Sequence, residues 1–268
     1  MSTVEASISA GDIGRYAYCA LNWKRSLEGV EGKKSARGIK HHGEVSKEVD
    51  ALELFQERAR WSIQTSFLLA LFAISGAALA LELLFLDANT PLRLGLIVLS
   101  VGWLMGSLYL FLFDVYFRGR SEQIIRRAKI VPGDIKSADS GKAPLLRAKH
   151  VPLQGRPDYV VEKEGAFIPV EVKSGKTPRR PYDSHVMQLA AYCFLVQEHY
   201  GARPPYGVLA YPDQQFEIRY TPKLEDDMLR YMLRIELAQR TGNVHRDHEN
   251  PRRCSGCSRR EGCPERLV

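Results

Sequence analysis

Two long apolar runs interrupt an otherwise mixed chain. Residues 62–86 cover about 25 positions with a single charge, Glu82, and residues 92–117 repeat the pattern with Arg93 at the start and Asp114 near the end. About 20 apolar residues in a helix cross the bilayer core, so each run is long enough to span one. A soluble helix of that length carries a polar stripe toward water, and neither run has one. Residues 87–91 (Asp-Ala-Asn-Thr-Pro) read as a tight turn between them. The pattern predicts a two-helix membrane hairpin. Arg58 and Arg60 precede it, and Arg118, Arg120, Arg126, Arg127 and Lys129 follow it, while only Arg93 lies near the turn. Basic residues collect on the cytoplasmic side, which puts both long termini in the cytoplasm and the turn outside. Trp61 and Tyr116 fall where interfacial aromatics belong.

The remaining periodicities are shorter. Residues 159–162 and 166–173 are apolar and β-prone around Lys163-Glu164-Gly165, which reads as a hairpin. Residues 206–211 and 216–220 read as a second strand pair, and 128–136 and 144–151 as short strands. Residues 44–60 contain few breakers, so one helix is expected to run straight into the first span. Residues 224–240 place Leu224, Met228, Leu229, Met232 and Ile235 on one helical side, and 243–253 are polar and loop-like. The expected fold is α/β, a mixed sheet flanked by helices and interrupted by the hairpin. The boundaries are 1–60 and 119–240 for the two parts of one domain, 61–118 for the hairpin and 241–268 for a C-terminal cysteine region.

Candidate chemistry sits in the first strand pair. Side chains on a strand repeat every two residues, so Glu171 and Lys173 share a face and Val172 points the other way. Asp158, in Gly155-Arg156-Pro157-Asp158, lies at the open end of the partner strand, within reach of that face. Two carboxylates beside an ammonium are costly to desolvate in a plain core. The cluster makes sense if a divalent cation sits between the carboxylates and the lysine faces a polyanion. Glu-x-Lys alone is common on solvated sheet faces and carries little by itself. Gln188 and Tyr192, four apart on a helical segment, share a face, and His42 stands ahead of the long helix.

Net charge is +7, with 38 Lys and Arg against 31 Asp and Glu, which favours an anionic partner, nucleic acid or lipid headgroups. No internal repeat, low-complexity tract or glycine-rich phosphate loop stands out. Of the five cysteines, Cys254, Cys257 and Cys263 crowd the C-terminus and Cys19 stands alone near the N-terminus. Three close thiols and one distant thiol suit a four-thiolate site tying the chain ends together, holding either an iron–sulfur cluster or zinc. With nothing resembling a secretory signal, a reducing compartment is expected and disulfides are the weaker reading. Cys193, beside Tyr192 on an apolar helix, reads as a small buried hydrophobe.

Taken in order, Gly38-Ile39-Lys40-His41-His42, Gly155 to Asp158, Glu171-Val172-Lys173 and Gln188 to Tyr192 resemble the motifs of the RecB-like branch of the PD-(D/E)XK nucleases. The cysteines resemble those of its CRISPR-associated exonucleases and related repair nucleases. The likeness covers residues 9–55 and 125–268, and the hairpin looks like an insertion into one restriction-endonuclease-like domain. It implies a nuclease, with Asp158, Glu171, Lys173, Gln188 and Tyr192 in the active site. His42, Asp158, Glu171 and the Val172 carbonyl would hold Mg²⁺ or Mn²⁺, the histidine favouring Mn²⁺. It further implies a [4Fe–4S] cluster on Cys19, Cys254, Cys257 and Cys263. The family's usual proline after the first cysteine is Ala20 here. The implied substrate is single-stranded DNA cut from an end, in CRISPR adaptation with its partner proteins or in repair, with no oligomeric state implied. The alternative is an inactive membrane-tethered DNA-binding or scaffold protein with a zinc or iron–sulfur site.

Overall fold

The computed structural model describes residues 7–32, 36–85, 90–128, 130–138 and 144–268, with the backbone alone at 36–42, 84–85, 127–128 and 137–138. In chain order its elements are β1 (Ile8–Ser9), α1 (Ala10–Tyr18), α2 (Ala20–Leu27), α3 (Ala36–Phe85) and α4 (Thr90–Ala128). Then follow β2 (Asp134–Ala138), β3 (Leu146–Arg147), β4 (Leu153–Gly155), β5 (Tyr159–Lys163) and β6 (Ala166–Val172). The chain closes with α5 (Asp183–Tyr200), β7 (Tyr206–Ala210), β8 (Gln215–Arg219), α6 (Pro222–Thr241) and α7 (Pro251–Ser255). Contacts divide it into two units, Asp50–Ile130 on one side and Met1–Val49 with Val131–Val268 on the other.

The second of these units is built on a five-stranded mixed sheet in the order β2-β5-β6-β7-β8, antiparallel except for the parallel β6–β7 pair. Glu164 and Gly165 both take positive φ, 53° and 78°, making the two-residue turn whose twist suits an antiparallel hairpin. That turn pairs Lys163 with Ala166 and so fixes Tyr159 opposite Val170. One residue further out, Asp158 is brought beside the end of β6. Tyr159, Val160 and Val161 are all buried, as are Ile168, Val170 and Val172, so the sheet centre is covered on both faces. On one face α5 packs with α1 and α6 over Ile13, Trp23, Leu195, Met228 and Ile235; Leu189, Cys193 and Leu209 form a second cluster. Each large apolar side chain so buried contributes about 1.5–3 kcal/mol.

A smaller sheet, β1-β4-β3, joins the N-terminus to the segment before Asp158. Neither β1 nor the helices α1 and α2 belonged to the sequence expectation. The short strand expected at 128–136 is also corrected: Ala128 ends α4, and β2 begins only at Asp134. Of 144–151 only Leu146 and Arg147 pair, since the polar Lys149-His150 stretch turns the chain into β4.

In Asp50–Ile130 the two helices run antiparallel. Ser66 Oγ donates to the Ser107 carbonyl and Ser107 Oγ to the Ser66 carbonyl, each at 2.9 Å, and Ser62 Oγ donates to the Leu110 carbonyl at 2.6 Å. Gly76 lets the helices approach, because a Cβ there would meet Ser100 Oγ. Phe67, Ile74, Val98 and Leu112 instead point outward, 65%, 65%, 70% and 57% exposed. Both helices are long and apolar enough to cross a membrane. Asp114 is buried and paired with Arg118 at 2.8 Å.

Candidate active site and cysteine pocket

Sheet geometry carries three of the sequence-derived residues to one place. Glu171 lies on β6, and the backbone N–H of Lys173 donates to the Ala210 carbonyl at 2.8 Å, extending the β6–β7 ladder one residue past β6. Both side chains face α5, where Gln188 completes a triangle. Lys173 Nζ is 2.9 Å from Glu171 Oε1 and donates to Gln188 Oε1 at 2.8 Å, while Gln188 Nε2 donates to Glu171 Oε1 at 2.8 Å. Tyr192, one turn on, lies 3.3 Å from Gln188 Nε2 through its hydroxyl. Glu171 is 6% exposed, and these donors offset the cost of burying its carboxyl group.

Asp158 comes in from the other side of β6: its Oδ2 accepts from the Val172 amide at 2.6 Å. A cavity of about 340 Å³ is lined by Asp158, Val172 and residues of α3 that include Gly43 and Ser46. Carboxylates on two adjacent strand ends supply hard oxygen donors of the kind that suit a divalent cation. His42, the remaining ligand expected from sequence, has its side chain outside the described residues.

Gly155 explains part of its own motif. A Cβ there would stand 2.9 Å from the Tyr192 ring and 3.0 Å from Ala10, so the position admits only glycine without a shift. Gly14 on α1 does the same against α5, where a Cβ would lie 3.0 Å from the Ser184 carbonyl and 3.1 Å from Gln188 Cβ. The wall beside Gln188 is thus an N-terminal helix that sequence reasoning missed.

His185 was missed as well, although it lies three residues before Gln188 and so shares its face. Its Nδ1 is 2.6 Å from the Tyr211 hydroxyl. Burial, with a further push from Lys173, lowers its pKa to about 3, so the ring is neutral across the physiological range.

The four cysteines expected to act together line one pocket. Cys19 has extended backbone and separates α1 from α2, so its thiol leaves the helical path. At the other end Asn250 caps α7, accepting from Arg252 N–H at 3.0 Å, and Pro251 takes the first helical position. The Cys257 amide donates to the Cys254 carbonyl, and left-handed Gly262 turns the chain so that the Cys263 amide donates to the Arg260 carbonyl, each at 3.1 Å. The two chain ends are laced by Tyr18 Oη to the Arg253 carbonyl at 2.6 Å, Arg25 to the Gly262 carbonyl at 2.8 Å and Arg259 to the Val30 carbonyl at 2.8 Å. All four thiols are free. Burial raises Cys19 and Cys257, and burial with the thiols nearby pushes the Tyr18 phenol up to about 12. Arginines 25, 246, 253, 259, 260 and 266 share the pocket wall, a cationic surround that suits a group bound as thiolates. Among the described residues no three His, Cys, Asp or Glu side chains close up on a single ion position. Cys193 stands apart, 1% exposed in the apolar core, as expected.

Two relatives share part of this chain. The CRISPR-associated exonuclease Cas4 of Francisella tularensis subsp. novicida is 23% identical over 150 residues, 56% of this chain and 76% of the relative. The CRISPR-associated exonuclease Cas4 of Thermoproteus tenax is 32% identical over 114 residues, 42% of this chain and 60% of the relative. Residues 7–264 match the PD-(D/E)XK nuclease superfamily as a whole, and with that match across nearly its full length the chain belongs to this superfamily.

Proposed function

We propose that this protein is a divalent-metal-dependent DNA exonuclease acting on single-stranded ends. The observation that carries the reading is the closed triangle of Glu171, Lys173 and Gln188, with Asp158 held on the next amide. Asp158, Glu171, the Val172 carbonyl and His42 would hold Mg²⁺ or Mn²⁺. When bound, the ion supplies an acidified water and neutralises charge on the phosphate. Lys173 holds its ammonium beside Glu171, where it orients the attacking water or meets negative charge on the phosphoryl oxygens. Gln188 keeps that lysine and carboxylate in register, and Tyr192 supports Gln188.

Cys19, Cys254, Cys257 and Cys263 would hold a [4Fe–4S] cluster that joins the chain ends. The reading rests on the soft thiol set, its arginine surround and the CRISPR-associated relatives. Those relatives also support work on DNA ends in CRISPR adaptation, alongside its partner proteins. The hairpin would tether the nuclease to lipid with both ends cytoplasmic, supported by its outward apolar side chains and flanking arginines.

A Mn²⁺-dependent assay on end-labelled single-stranded DNA decides the central claim. Native protein should release short products and Lys173→Ala none. Equal cleavage by both proteins removes the assignment.

A further inference from the structure

Beyond the triangle, two cavities of about 330 and 730 Å³ share Tyr18, Ser184, His185 and Gly256 in their walls and so form one groove. One end opens on Lys173 and Gln188, the other on Tyr182, Arg252 and Arg253. Arg252 is exposed on α7, and Arg253 is fixed by donating to the Tyr18 carbonyl at 3.3 Å. The loop leading to Tyr182 carries exposed Lys176, Arg179 and Arg180, against a single acidic residue in the wall, Asp183. The groove is therefore cationic at its outer end and fits a polyanion.

Tyr182 does not serve the helix end it occupies. It is the N-cap of α5, where a short oxygen-bearing side chain stabilises a helix, yet it makes no side-chain capping bond. Its ring is 54% exposed. It is held from behind, edge-to-face on His185 with centroids 5.4 Å apart and planes at 85°, and His185 is itself tied to Tyr211. A propped, exposed aromatic ring beside arginines is the arrangement that holds unpaired bases by stacking and their phosphates by charge.

We propose that Tyr182 is a base-stacking platform on a path for one DNA strand, running from Lys173 past His185 to Arg252 and Arg253. The inference rests on the nuclease reading above and adds the feature that selects single strands. A base inside a duplex is paired and stacked on both sides, and so cannot offer its face to Tyr182. Stacking is blind to sequence, so the platform grips any strand end.

Fluorescence anisotropy of the full-length protein with labelled oligo-dT and with a blunt duplex, in buffer without divalent ions, tests it. Tyr182→Ala should weaken oligo-dT binding roughly tenfold with an unchanged salt slope, and Tyr182→Phe should restore it. Duplex binding should stay within twofold. Arg252→Ala should instead flatten the salt dependence by about 0.7, the share of one phosphate contact on a single strand. Native-like oligo-dT binding by folded Tyr182→Ala, or an equal loss on the duplex, overturns the platform. Because binding is read without cleavage, this outcome is separate from the Lys173→Ala assay.

Discussion

Gln188 Nε2 donates to Glu171 Oε1 at 2.8 Å while Gln188 Oε1 accepts from Lys173 Nζ at the same distance. An amide is the side chain that can serve a carboxylate and an ammonium at once, because it carries a donor and an acceptor on one plane. Gln188→Leu conserves size and removes both bonds. It should cut single-turnover cleavage by about 10- to 100-fold, the scale of a lost positioning contact, with little change in DNA affinity. A variant altered only in affinity would show that Gln188 binds DNA and does not set the geometry.

The glycine that opens the Asp158 motif has a steric reason. Its absent side chain is filled by the Tyr192 ring and Ala10. Gly155→Ala overpacks the site, which typically costs about 1–3 kcal/mol. The melting temperature should fall and activity should fall further, since the ring that must move lies against Gln188. Adding Tyr192→Leu, which removes the obstructing edge, should recover much of the stability and none of the activity.

These two positions mark how far the sequence could be read. Period-two patterning and the Glu164-Gly165 turn sufficed to bring Asp158, Glu171 and Lys173 together, because a hairpin register follows from its turn. Gln188 and Tyr192 followed from helical spacing. The wall formed by α1 was hidden, for its closeness to α5 depends on Gly14, one glycine among 21, whose meaning lies in a partner helix far along the chain. Strand β2 was placed too early because β-prone residues after α4 carry no marker of where a helix stops. Tyr182 and His185 gave no motif at all, since their pairing is made by tertiary packing.

Ala20 departs from the family's usual proline, and the structure supplies a reason. Its N–H, which proline lacks, donates to Asp247 Oδ1 at 3.2 Å across the two ends of the chain. Ala20 is the first residue of α2, where proline is otherwise well tolerated. Ala20→Pro should therefore cost about 1 kcal/mol, the bond to a charged acceptor offset by a stiffer unfolded chain. In an Asp247→Ala background the same change should be neutral or stabilising. Thermal melts of the four proteins complete the cycle, and equal costs in both backgrounds would dismiss the bond.

His185 gives the fold an acid sensitivity of definite sign. Its folded pKa of about 3 lies below the ordinary 6.5, through burial and Lys173, with the Tyr182 and Tyr211 rings also against it. Below about pH 6.5 the unfolded chain takes up a proton that the folded one refuses, so stability falls as pH drops. The limiting slope is about 1.4 kcal/mol per pH unit. Melting temperature should decline between pH 6.5 and 5, before most carboxylates titrate, and His185→Asn should decline less. An identical decline would place the sensitivity elsewhere.

The hairpin reading turns on charge, and charge makes it testable. Ser66 and Ser107 satisfy one another across the helix pair, and among the described residues many apolar side chains outside it are exposed, an order that would suit a bilayer. Five basic residues follow the second helix run and two precede the first, against Arg93 alone near the turn. Both arms should then remain in the cytoplasm. An impermeant maleimide on intact cells should label Asn89→Cys and leave both the native protein and Lys163→Cys untouched. Permeabilisation should make Lys163→Cys reactive, because Lys163 is exposed at the end of β5. Labelling of Lys163→Cys from outside would reverse the topology and carry the nuclease away from cytoplasmic DNA. Recovery of the full-length chain in the soluble fraction after carbonate washing would remove the membrane from the account.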